Sequence, residues 1–87
     1  MLDTKLIDSF DRGFARLEDA KSYWLREGDT EMVAVAKSDL AHVKCILSTY
    51  KQTGSIRSLN KFMWCLDTIV RETFIEVYDY LEEIGYD

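Results

Sequence analysis

The sequence predicts an all-α protein: three long antiparallel helices in an up-down-up bundle, or a helical hairpin completed by a second copy. Three observations carry this expectation. Apolar residues recur at steps of three and four along most of the 87 residues, the period of a helix face. There is no proline and there are only four glycines, so little interrupts long helices. Two of those glycines, Gly28 and Gly54, sit where the periodicity lapses, and Asp29-Thr30 and Ser55 follow them directly. Glycine as a stop and Asp, Thr or Ser as the next start is the chemistry of helix ends.

Helix one is expected from about Asp3 to Glu27. Leu6, Ile7, Phe10, Phe14, Leu17, Trp24 and Leu25 form a stripe about 140° wide at roughly 100° per residue. Gly13 lies inside that periodic stretch, where it costs about 1 kcal/mol relative to Ala, which points to a close helix contact. Lys5, Arg12 and Arg16 lie opposite with Asp8 and Asp19 as a mixed solvated face, on which Asp8 can pair with Arg12. Helix two is expected from about Glu31 to Gln52, with Ala36, Leu40, Val43, Leu47 and Tyr50 as its seam and Lys37, Lys44 and Lys51 shielding one flank. Helix three is expected from about Ser58, or Ser55, to Ile84, closed by Gly85. Its seam is Leu59, Phe62, Met63, Leu66, Ile69, Val70, Phe74, Val77, Leu81 and Ile84. All 87 residues then form a single helical domain.

Composition excludes several classes. Hydrophobic residues at 47% suffice for a packed core and argue against disorder. A net charge of −5 disfavours direct nucleic-acid binding, which needs clustered Lys and Arg. No stretch approaches the ~20 apolar residues of a membrane span, and Met1-Leu2-Asp3-Thr4-Lys5 lacks the order of a signal peptide; a cytoplasmic protein is expected. Cys45 and Cys65 fall in separate expected helices and, with a lone His42, make no metal site, so free thiols and no metal or cofactor are expected. His42 and Cys45 are three apart and could meet. They have no orienting acid or oxyanion donors, so no enzyme is expected. The Glu-x-x-His spacing of carboxylate-bridged metal bundles is approached once, at Asp39-Leu40-Ala41-His42.

Helix three stands out twice. Trp64, Arg71, Ile75 and Tyr78 share a flank beside the seam, and with them the apolar arc widens to about 240°. Trp, Tyr and Arg are enriched at interface hot spots, so these four residues are the expected partner or oligomer interface. After Arg71 come Glu72, Glu76, Asp79, Glu82, Glu83 and Asp87 with no base among them. Glu72, Glu76, Asp79 and Glu83, at steps of four, three and four, make an acidic ridge opposite the seam. Anions face the unfavourable end of a helix dipole there, so local stability does not select them.

No stretch matches a family motif. Size, charge and helicity are shared with bacteriocin immunity proteins, antitoxins and phage-encoded inhibitors, a likeness of class only. The leading expectation is a non-enzymatic, acidic, self-associating helical protein that occupies or inhibits a larger partner with a basic surface, such as a nucleic-acid-binding protein. The alternatives are a helical oligomer sequestering a phosphorylated or nucleotide-like ligand in inter-subunit clefts, and a structural subunit of a larger assembly.

Overall fold

The computed structural model describes residues 2–85, so Asp87 of the acidic series lies outside the described residues. The architecture is all-α. Among the described residues five helices follow one another: α1 (Thr4–Glu27), α2 (Thr30–Thr53), α3 (Ile56–Met63), α4 (Thr68–Thr73) and α5 (Ile75–Glu83).

The first half follows the sequence expectation. The Asp3 carboxylate accepts from the Lys5 and Leu6 amides at the start of α1, and Asp29 accepts from Met32 at the start of α2. Gly28 and Gly54 end these helices at φ 74° and 69°, left-handed values that a Cβ disfavours. The result is an antiparallel hairpin. Its seams differ in detail from the expected ones. On α2 the buried positions are Ala36, Asp39, Val43, Leu47 and Tyr50, with Leu40 only half-buried. On α1 burial stops at Leu17, and Leu25 is 68% exposed.

The single long third helix is corrected: the segment is three helices. After Met63 the chain tightens into turns, with the Cys65 amide on the Phe62 carbonyl at 3.1 Å and the Leu66 amide on that of Met63 at 3.2 Å. Asp67 is then extended (φ −77°, ψ 174°), and its carboxylate accepts from the Val70 amide to start α4. A second irregularity at Phe74 (φ −103°, ψ 33°) separates α4 from α5. The breaks allow one segment to bury apolar residues in two directions, as a straight rod with so wide an arc could not. Packing joins α3 to α2, and α5 to α1.

Phe74, fully buried, lies against Gly13 so closely that a Cβ there would overlap its ring. That is the close contact expected of Gly13. Phe14 meets Phe74 edge-on at 5.3 Å between centroids, and Phe10 lies 6.1 Å from Phe74. Rings in such tilted arrangements add about 0.5–1.5 kcal/mol per pair to their burial. At the base of the hairpin the Tyr80 hydroxyl donates to Asp3, and the Asp3 amide donates to the Tyr50 hydroxyl at 2.9 Å. The acceptor carboxylate of Asp3 pushes the Tyr80 phenol up to about 12, and the same bond holds Asp3 below its ordinary value.

The fold is therefore uneven along its length. The base has α3 and α5 packed on the hairpin. Towards the far end, among the described residues, residues 18–35 of α1 and α2 contain no fully buried residue.

Candidate functional site

The α3–α4 break brings three of the four expected interface residues together. On one continuous helix Trp64 and Tyr78 would stand about 21 Å apart, at 1.5 Å per residue. Here their rings meet at 4.7 Å between centroids, tilted by 66°. The Arg71 guanidinium lies 5.5 Å from the centre of the Trp64 ring and donates to the Trp64 carbonyl at 2.9 Å. Trp64 Nε1 donates to Asn60 Oδ1 at 2.8 Å, and the Tyr78 hydroxyl donates to the Met63 carbonyl. Tyr78 is buried, which pushes its phenol up to about 12. The cluster thus braces the break from within the chain. Ile75 does not join it and is 51% exposed.

The acidic ridge is also divided. Glu76 forms ion pairs with both Arg12 and Arg16 of α1, and these two guanidinium groups hold its carboxyl below the usual range. Arg12 therefore turns to Glu76 instead of the Asp8 expected from helical spacing. Glu72, Asp79, Glu82 and Glu83 are exposed, and no ion pair forms at any of them among the described residues. Glu76 works as a tie to α1, while Glu72 on α4 and Asp79, Glu82 and Glu83 on α5 stay exposed.

A site of which the sequence singled out only Asp39 and His42 lies between α2 and the α3–α4 link. Asp39, His42 and Val35 face Cys65, Leu66 and Asp67 across a cleft of about 400 Å³. Asp39 is 6% exposed, and its Oδ2 is shielded from solvent with no hydrogen-bond partner among the described residues. Burial raises the Asp39 carboxyl, and the charge of Asp67 raises it further, while His42 opposes both. One signal was available: Asp39 is three residues after Ala36 and four before Val43, a seam position. What it faces depends on a break that no glycine or proline marks.

His42 and Cys45 do not form a pair. His42 lines the cleft just described, whereas Cys45 lines a separate apolar groove with Ile46, Leu59 and Phe62. Both cysteines are free and exposed. A third hollow gathers Arg57, Ser58 and Lys61 beside Trp64 and Asn60. No three His, Cys, Asp or Glu residues are placed to hold a metal ion among the described residues. No described helix is long and apolar enough to cross a membrane.

Together these features define the chain by fold and surface: an all-α protein with a braced helix break, an acidic face and an overhanging hairpin end. No protein-family model matches it, and neither a curated protein nor a solved structure is significantly similar to it.

Proposed function

We propose that this is a non-enzymatic, cytoplasmic helical protein that self-associates through the free end of its hairpin and presents its acidic face to a basic surface of a larger partner protein. The observation that carries the reading is the overhang. Tyr23 and Leu25 are 52% and 68% exposed, and Leu25, Val33 and Ala34 line a hollow of about 320 Å³ at the α1–α2 turn. Two antiparallel helices make a thin layer that cannot close a core. Two such ends packed against each other would make a four-helix arrangement, the hairpin completed by a second copy. Self-association here leaves the Trp64–Arg71–Tyr78 cluster to its role inside the chain.

The acidic face supports the second half of the reading. Glu82 and Glu83 lie in the last turn of α5, where the helix dipole is unfavourable to anions, and with the exposed Glu72 and Asp79 they would gain from a basic partner surface. Sedimentation across a concentration series tests association: the native chain is expected to form dimers that Leu25→Glu reduces to monomers. An unchanged monomer at high micromolar concentration would remove the self-association. Docking is tested by crosslinking the native host protein to this chain and comparing recovery by Glu72→Lys, Asp79→Lys, Glu83→Lys. Equal recovery by this triple variant would exclude the acidic face as the contact.

A phosphorylated ligand is the second reading, favoured by Arg57, Ser58 and Lys61 beside the Trp64 ring. It places the ligand within one chain instead of between subunits. Thermal shifts with nucleotides, absent in Arg57→Ala and Lys61→Ala, distinguish it from protein docking.

A further inference from the structure

The cleft between α2 and the α3–α4 link contains a charge that the fold does not satisfy. Asp39 is more than nine-tenths buried, and none of the described residues donates to its Oδ2. Buried carboxylates are unfavourable unless paired or hydrogen-bonded. Asp67 lines the opposite wall and repels Asp39 instead of relieving it, and His42 attracts it from the next turn of α2. Asp67 also caps α4 through Oδ1, so the link holds it in position.

The chemistry of the walls narrows the occupant. Calcium and magnesium take six or more oxygen ligands, and no three metal-binding side chains converge among the described residues. A guanidinium is planar, weakly hydrated and carries donors in a fork that can serve two carboxylates. Val35 and Leu66 supply apolar surface for the methylene stem behind it. We propose that this cleft receives an arginine side chain of a partner protein, its guanidinium pairing with the charges of Asp39 and Asp67 and its stem lying against Val35 and Leu66. The inference deepens the reading of a basic protein partner by naming the anchoring group. It also assigns that anchor to Asp39 and Asp67, residues other than the exposed carboxylates of the proposed acidic contact.

The test is a backbone-amide NMR titration of the full chain with N-acetyl-arginine methylamide, beside the lysine analogue and the neutral, isosteric citrulline analogue, at constant ionic strength. The arginine probe is expected to give saturable shifts at Val35, Asp39, His42, Leu66 and Asp67, the lysine probe weaker ones, and the citrulline probe none. Asp39→Asn keeps the volume and removes the charge, so it should weaken arginine binding by about tenfold or more, the scale of one charged hydrogen bond. Asp67→Asn, which preserves a capping side chain, should weaken it less. If Asp39→Asn does not fold, Asp67→Asn bears the comparison. Equal responses to arginine and citrulline overturn the proposal, as does an arginine isotherm unchanged in the variant that folds. Shifts centred on Glu72, Asp79 and Glu83 overturn it by pointing to diffuse attraction, and lysine binding as tight as arginine overturns the guanidinium assignment. Each of these failures leaves the triple charge reversal to judge the wider reading separately.

Discussion

The α1–α2 hairpin and the α3–α5 arm use their apolar residues in opposite ways. The hairpin is two uninterrupted helices of 24 residues each, stopped by glycines and started by aspartates. The arm is broken twice within about the same length, and neither break has a glycine or a proline. Each hairpin helix needs one buried face, and a narrow stripe provides it. The arm has apolar residues around much of its circumference, so breaking it and redirecting the pieces buries more than a straight rod could. The lesson is that arc width, and not only helix punctuation, signals where a helix gives way.

Phe74→Ala attacks that difference most directly. It empties the space beneath Gly13 at the joint of α4 and α5, and truncating a buried Phe costs about 3–5 kcal/mol. Chemical denaturation should show this loss, with α3–α5 amides exchanging before those of the hairpin. Retained protection across α4 and α5 would mean that the joint does not depend on Phe74. Gly13→Ala comes next. On helix propensity alone it would stabilise by about 1 kcal/mol, but the new Cβ meets the Phe74 ring. Overpacking of this kind costs about 1–3 kcal/mol, so net destabilisation is expected, relieved when Phe74→Leu is combined with it. A stabilised single variant would show that the ring yields easily.

The restart of α4 gives a smaller effect. Asp67→Ala should cost about 1 kcal/mol by removing the cap, and Asp67→Asn much less; equal losses in thermal unfolding would deny the capping role. The finest comparison is made by pH. Asp39 has a folded-state pKa above its unfolded value near 3.8, so the folded chain retains that proton longer and ionisation favours unfolding. Its contribution therefore falls as pH rises from about 4. Asp3 and Glu76, held low, do the reverse: their support is present above their unfolded values and is lost as pH falls through the folded ones. Melting temperatures of Asp39→Asn and the native chain should coincide near pH 3 and separate above about pH 4, with the variant higher. Parallel curves throughout would mean that Asp39 is not strained by its burial.

Helical period, glycine stops and the residues after them determined α1, α2 and their turn, because those features act within a few residues of chain. The close approach at Gly13 was legible for the same local reason, although its partner, Phe74, was not. Tertiary structure decided the rest. Whether the third segment stays straight depends on the gain from packing α3 against α2 and α5 against α1, which is set by residues tens of positions away. That choice folded Trp64, Arg71 and Tyr78 onto one another, gave Glu76 two arginines from α1, and set Asp67 across from Asp39. It also left the hairpin end without a third layer among the described residues, since α3–α5 pack on the other end.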